Sequence, residues 1–266
     1  MFTVATWNIN SIRLRAALVA RLLTEQAPDI LCLQECKSPV DKMPLQLFHD
    51  MGYRWSVARG QRGYNGVAIL SRLPITDAGE RDHARLGHAR HVAARLENGV
   101  TIHNFYVPAG GDVPDRAVNE KFGQKLDYLT DMRDAFAADP PARSILVGDL
   151  NIAPREDDVW SHRQLVKIVS HTPVEIEAME ALKASLGFVD LPRAATPDGK
   201  LFSWWSYRAQ DFRKSNRGLR LDHILASPGL AEAAFRTGRA ESRVHDDVRE
   251  WERPSDHAPV TADFAL

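Results

Sequence analysis

The chain reads as a four-layered α/β sandwich, two packed mixed or antiparallel sheets flanked by helices. Short apolar runs of strand length alternate with longer amphipathic segments from end to end. Several of these runs lie too close together for helical crossovers, which excludes an all-parallel sheet. Glu97-Asn98-Gly99, set between two such runs, is a hairpin signal. No fixed-period repeat, low-complexity tract or linker interrupts the pattern, so a single domain over 1–266 is expected.

In order, Phe2–Ile9 is a predicted strand. Leu14, Ala17, Leu18 and Leu22 follow the 3.6-residue period and predict a helix over Leu14–Gln26, ended by Pro28-Asp29. Ile30–Gln34 is apolar enough for a buried strand, and Gly66–Ser71 is another, stopped by Pro74. His91–Leu96 and Val100–Val107 are the hairpin arms. Phe122, Leu126, Leu129, Met132 and Phe136 give Asn119–Ala137 one apolar helical face. Ser144–Gly148 is an apolar strand running into Asp149. Thr172-Pro173-Val174-Glu175 combines a capping box with proline at the first helical position, and Gly187 is the natural stop. Phe202–Tyr207, Leu219–Ala226 and Val260–Phe264 complete the strands.

Composition narrows the function classes. The 266 residues are 44% hydrophobic and 26% charged, as in soluble globular proteins. No apolar run is long enough for a membrane helix, and the N-terminus lacks the pattern of a signal peptide, so a cytoplasmic protein without membrane partners is expected. The two cysteines, Cys32 and Cys36, read as reduced thiols rather than a zinc or disulfide framework. Net charge is −1, so any contact with a polyanion must come from local basic patches, with acidic residues gathered elsewhere.

Polar residues collect where the apolar runs end. Asn8, Glu35, Tyr106, Asp149 and Asn151 follow predicted strands, and Asp256-His257 precedes the last one. Sites in α/β folds form at such ends. Carboxylates, amides and a histidine so placed suit a hard cation and a phosphate. Each also has a structural alternative. Glu35 reads equally as a loop carboxylate, Asp149-Leu150-Asn151 as a turn, Asp222 as a partner of Arg220 or Arg217, Tyr106 as core and His257 as a cap.

Their joint order is more specific. Trp7-Asn8-Ile9-Asn10, Leu33-Gln34-Glu35, Tyr64-Asn65-Gly66-Val67-Ala68, Tyr106-Val107-Pro108, Gly148-Asp149-Leu150-Asn151, Ser203-Trp204-Trp205, Arg220-Leu221-Asp222 and Ser255-Asp256-His257-Ala258-Pro259 span nearly the whole chain. Together they resemble the successive motifs of the exonuclease III family of abasic-site endonucleases, within the endonuclease/exonuclease/phosphatase superfamily. The resemblance implies that Glu35 binds Mg²⁺ (or Mn²⁺), with Asn8 beside it and Asp256 in support. Asp149, Asn151 and His257 complete the implied metal-site set. By the same resemblance Asp149 orients and deprotonates the attacking water, Asn151 and His257 bond the scissile phosphate, Tyr106 also contacts it, and Asp222 fixes the tautomer of His257. Adjacent residues of an extended segment point to opposite sides, so Asp256 and His257 share a pocket only if the chain bends there.

Trp204 beside Arg213, Lys214 and Arg217 suits DNA, since aromatic faces stack on bases and cations track phosphates. Trp204 matches the family's abasic-pocket position, whereas strand alternation assigns Trp205 to the core. Arg59, Arg62, Tyr64 and Asn65 form a second expected DNA loop. The chain departs from the family in having Ser206 where an acidic residue is frequent, Ala109-Gly110 after Tyr106-Val107-Pro108, and an insert-like Val244–Glu252. These departures bear on the balance of activities. The expectation is therefore a monomeric Mg²⁺-dependent enzyme acting on double-stranded DNA with abasic sites or 3′ ends. It would cut 5′ to the abasic site, with 3′→5′ exonuclease and 3′-phosphatase activity besides. The rival readings are a lipid or inositol head-group phosphatase, which needs neither Trp204 nor the basic run, and a non-catalytic DNA-binding scaffold, which would have lost site residues.

Overall fold

A computed structural model of the chain describes residues 1–140, 142–208, 211–235 and 242–265. Its strands are β1 (Phe2–Asn8), β2 (Ile30–Gln34), β3 (Trp55–Arg59), β4 (Val67–Ser71), β5 (Ile75–Gly79), β6 (His91–Leu96) and β7 (Thr101–Tyr106). They continue with β8 (Ser144–Asp149), β9 (Val189–Asp190), β10 (Trp204–Trp205), β11 (Gly218–Leu219), β12 (Asp222–Ala226), β13 (Ser242–Val244) and β14 (Val260–Phe264). Among the described residues these make two six-stranded sheets, ordered β13-β14-β1-β2-β4-β3 and β5-β6-β7-β8-β12-β9, and the ribbon β10-β11. The helices are α1 (Ala16–Glu25), α2 (Leu45–Asp50), α3 (Glu120–Ala138), α4 (His162–Leu165), α5 (Pro173–Leu186), α6 (Leu191–Ala195), α7 (Phe212–Ser215) and α8 (Pro228–Phe235).

The period-2 alternation of strand side chains separates the layers. Val4, Ile30, Cys32 and Ile69 of the first sheet meet Val92, Ile102, Val147 and Ile224 of the second in the central core. The other faces carry Ala5, Trp7 and Leu31 against Val19, Leu22 and Leu23 of α1. Likewise Phe105, Leu146 and Leu225 pack on Leu129 and Met132 of α3 and Met179 and Leu182 of α5. This is the expected α/β sandwich. One polar bridge crosses its centre. Gln34 Nε2 donates to Asn104 Oδ1 at 2.7 Å, and Asn104 Nδ2 to the carbonyls of Leu33 and Ala68 at 3.0 and 2.9 Å. Directional buried hydrogen bonds of this kind fix register between layers.

The strands Ile30–Gln34, His91–Leu96 and Val260–Phe264 have the predicted bounds. Helix α5 begins with Pro173 behind the Thr172/Glu175 capping box and ends at Gly187, φ 62°. Two predicted strands are shorter. Phe202–Tyr207 pairs only at Trp204–Trp205, and Leu219–Ala226 divides between the ribbon and the second sheet. The division falls at Arg220, whose side chain is drawn into a buried cluster with Asp158 (2.7 Å) and Asp190 (2.9 Å). Arg220 is fully buried and pairs with these two carboxylates, so it adds nothing to the exposed charge of Arg213, Lys214 and Arg217.

Candidate active site

The topology brings distant residues to one edge of the sandwich. β1 and β2 run parallel, so Asn8 and the residue after Gln34 leave at the same end, and antiparallel β14 starts there. In the second sheet β7 and β8 are parallel and β12 is antiparallel, which registers Tyr106 on Asp149 and Asp149 on Asp222. Gly148 (φ 136°) makes this register attainable, because a Cβ there would sit 1.9 Å from the Phe105 carbonyl oxygen. Glu35 (φ 49°) and Asn151 (φ 54°) both adopt the left-handed region, a strain concentrated where side chains are redirected at strand ends.

The two sheets meet through Asn8. Its Nδ2 donates to Glu35 Oε1 at 2.9 Å and to Asp149 Oδ2 at 2.8 Å. The backbone N–H of Asn151 donates to Asp149 Oδ1 at 2.9 Å, and Asn151 Nδ2 donates to the Val107 carbonyl at 2.9 Å. His257 lies between two carboxylates, Nδ1 2.8 Å from Asp222 Oδ2 and Nε2 3.7 Å from Asp149 Oδ2. Burial, with the negative charges of Glu35 and Asp149 nearby, pushes the Tyr106 phenol well above its ordinary value.

The required bend at Asp256-His257 is present. Ser255 Oγ donates to the Asn8 carbonyl at 2.6 Å and accepts from the His257 N–H at 3.2 Å, turning the chain. Asp256 then accepts from Asn10 Nδ2 (3.2 Å) and Trp204 Nε1 (3.0 Å). Lys37 Nζ closes the ring, 2.7 Å from Glu35 Oε2 and 2.6 Å from Asn10 Oδ1. Thus Glu35, Asp149, Asn151, Asp222 and His257 surround one space, with Asp256 and Trp204 on its rim.

Burial sets the electrostatics. Burial penalises the His257 cation, but the charges of Asp222 and Asp149 outweigh it and hold the imidazole up at about 10. Burial raises Asp149 to about 7, with His257 opposing and the negative charges of Asp222 and Glu35 adding to the rise. Glu35 is held below the usual carboxylate range, because the hydrogen bond and charge of Lys37 overcome burial. Donor atoms of Asp149, Asp222 and His257 lie within 4.8 Å of one another, a geometry that can hold a metal ion. Carboxylate oxygens of Glu35, Asp149 and Asp222 predominate among the acceptors here, and the Lys37 ammonium on Glu35 shows that this end of the site accommodates a positive charge. That donor set fits a hard divalent cation.

The expected DNA residues fall into different settings. Arg62 and Tyr64 are exposed on the β3–β4 loop, with Tyr64 73% accessible. Asn65 is buried, and its carbonyl accepts from the Lys37 N–H at 2.8 Å, tying this loop to the Glu35 turn. Arg59 is turned toward Asp77 and Glu80, at 2.9 Å each. Trp204 is half-buried at the rim, while Trp205 is core beside Phe202. Arg213 pairs with Asp246 and Glu250, Arg217 lies 4.8 Å over the Trp160 ring, and Lys214 is exposed. Sequence reasoning missed Asn10, Lys37 and Ser203. Ser203 Oγ donates to Asp222 Oδ2 at 2.6 Å. Asn10 and Ser203 stand inside recognisable motifs, but a lone amide or hydroxyl carries no periodic or charge signal.

Residues 5–257 match the model of the endonuclease/exonuclease/phosphatase family. The chain is similar to exodeoxyribonuclease III of Haemophilus influenzae, 30% identical over 97% of this chain and 98% of that one. Its fold is similar to an AP endonuclease from Archaeoglobus fulgidus, with a TM-score of 0.91 and 33% identity over the whole of both chains. A 3′ phosphatase from Neisseria, solved with a product DNA hairpin, superposes with a TM-score of 0.89 at 34% identity, again over both whole chains.

Proposed function

The chain belongs to the endonuclease/exonuclease/phosphatase family, and from that premise we propose that it is a Mg²⁺-dependent DNA-repair nuclease acting as a monomer of one domain. It hydrolyses the phosphodiester 5′ to abasic sites in duplex DNA and removes nucleotides or phosphate from 3′ ends. The observation that carries this reading is the junction at Asn8, which places Glu35 and Asp149 together beside the Asp222–His257 pair.

In this reading Asp149, its second oxygen held by the Asn151 N–H, orients the attacking water and takes its proton. Asp222 holds the Nδ1–H of His257, so the Nε2–H of the imidazolium faces the pocket and meets the negative charge that develops on the phosphate. Asn151 has a second amide N–H beyond the one given to Val107, free to bond a phosphate oxygen. Tyr106 supplies a phenolic donor from the β7 end. Glu35 with Asn8 and Asp256 would hold the Mg²⁺, with Asp149, Asn151 and His257 lining the same space; the ion would stabilise the leaving 3′ oxygen. Trp204, bonded to Asp256, and the exposed Arg62, Tyr64, Lys214 and Arg217 would receive DNA in this reading.

The test is incubation with a duplex carrying one abasic analogue, with Mg²⁺ or with chelator, alongside inositol phosphates. Incision 5′ to the analogue that stops on chelation is expected. Incision indifferent to chelator, or hydrolysis of the head groups alone, would defeat the reading.

A further inference from the structure

We propose that Lys125 and Glu175 are a positioning pair that fixes the peptide of Asn151, and through it the carboxylate of Asp149, for the hydrolysis inferred above; the inference rests on that reading. Both side chains are fully buried. Lys125, on α3, donates to the Asn151 carbonyl at 2.7 Å, to the Ala109 carbonyl at 3.3 Å and to the Glu175 carboxylate. Glu175, in the first turn of α5, also accepts from the Ser170 and Thr172 N–H groups (2.9 and 3.1 Å) and from Thr172 Oγ1 at 2.6 Å. The loops after β7 and β8 and the starts of α3 and α5 are thereby tied to one ammonium and one carboxylate.

The pair acts on Asn151 from the side opposite Asp149. The Asn151 N–H donates to Asp149 Oδ1, while its carbonyl is held by Lys125. With φ at 54° Asn151 sits outside the broad minima, a conformation that an external restraint helps to hold. The N–H and the carbonyl belong to successive peptide planes joined at the Asn151 Cα, so a held carbonyl limits rotation about that Cα and with it the direction of the N–H given to Asp149. The loop at Gly110 packs on the lysine stem, where a Cβ would come within 3.0 Å of Lys125 Cδ. An apolar residue of similar volume would fill the same space, and a buried ion pair is seldom the most stable filling. Directional bonds to two loops of the site are what a lysine adds here.

The test is steady-state kinetics of Lys125→Met on the abasic duplex. The kcat should fall by about tenfold to a hundredfold, the scale of a small misplacement of reacting groups, with KM within about twofold. A folded Lys125→Met whose kcat stays within about twofold of the native enzyme, or whose loss lies in KM alone, overturns the inference. Should the uncompensated Glu175 prevent folding, the neutral double variant Lys125→Met/Glu175→Gln carries the same kinetic test. The native chain offers a reading that needs no variant. The Lys125 ammonium protons should exchange slowly and show nuclear Overhauser contacts to Asn151 and Ala109, and rapid exchange without such contacts overturns the inference. A native chain that leaves the abasic duplex intact removes the functional reading. Native activity matched by Lys125→Met removes the positioning role alone.

Discussion

Asp222 accepts from both His257 Nδ1 and Ser203 Oγ on a single oxygen, Oδ2. Asp222→Asn keeps the shape but offers His257 an amide in place of a carboxylate, so both the preferred tautomer and the support for the imidazolium are lost. The kcat should drop by roughly 10³–10⁴-fold, as for other Asp–His pairs. The His257 pKa should fall from its raised position, which NMR titration of the imidazole would follow; a kcat within tenfold of the parent contradicts the assignment. At this scale the carboxylates, amides and histidine of the site were legible because they stand at strand ends in a recognisable order. Lys37 was not: nothing in Glu35-Cys36-Lys37 tells that the left-handed turn at Glu35 folds the ammonium back onto its carboxylate. Nor was the engagement of Arg59 and Arg213 with acidic neighbours, since Asp77, Glu80, Asp246 and Glu250 meet them only through the packing of one sheet on the other and through loop return.

Elements with two apolar faces or explicit caps were the legible ones. Every residue of β2 and β4 is buried, and their sequences are continuous apolar runs. Edge strands β3 and β5 escaped prediction because a strand at a sheet edge buries little: Ile75–Gly79 has no fully buried residue, and Trp55–Arg59 has only Val57. The split at Arg220 was hidden for another reason, that an arginine between apolar neighbours gives no sign of an interior ion cluster. Glycines set two element boundaries with different stringency. Gly187 needs only its left-handed φ of 62°, with a Cβ no closer than 3.6 Å to Pro228, so Gly187→Ala should cost about 1–2 kcal/mol in urea unfolding. Gly148→Ala drives a methyl into the Phe105 backbone and should cost far more, removing the β7–β8 register beneath Asp149. Equal losses for the two variants would contradict this division.

Across the whole molecule, a net charge of −1 conceals a buried acidic site, a partly neutralised basic rim and a histidine cluster in the outer layer. His83, His91 and His103 pack with Phe105, and burial depresses all three, His103 to about 3. A depressed histidine pKa means that the unfolded chain binds more protons. Stability is then fully present above about pH 6.5 and is lost as pH falls toward the folded values. Asp149, raised to about 7, acts oppositely between its ordinary value of 3.8 and 7, and His257, raised to about 10, acts oppositely above about 6.5, but burial depresses His88, His171 and His245 as well, so two groups stand against six. Urea midpoints should therefore fall between pH 7 and pH 5, and His103→Phe should shallow the slope by up to about 1.4 kcal/mol per pH unit. A midpoint that rises toward pH 5 contradicts the balance.

That Glu35 and His257, brought together from opposite ends of the chain, share a cation-and-phosphate pocket is tested most directly by paramagnetic Mn²⁺ followed at the His257 imidazole by NMR. Substoichiometric Mn²⁺ should broaden the His257 ring signals in the native chain, and Glu35→Gln should demand much more ion for the same broadening. Signals that stay sharp, or broadening that ignores Glu35→Gln, would contradict the shared pocket.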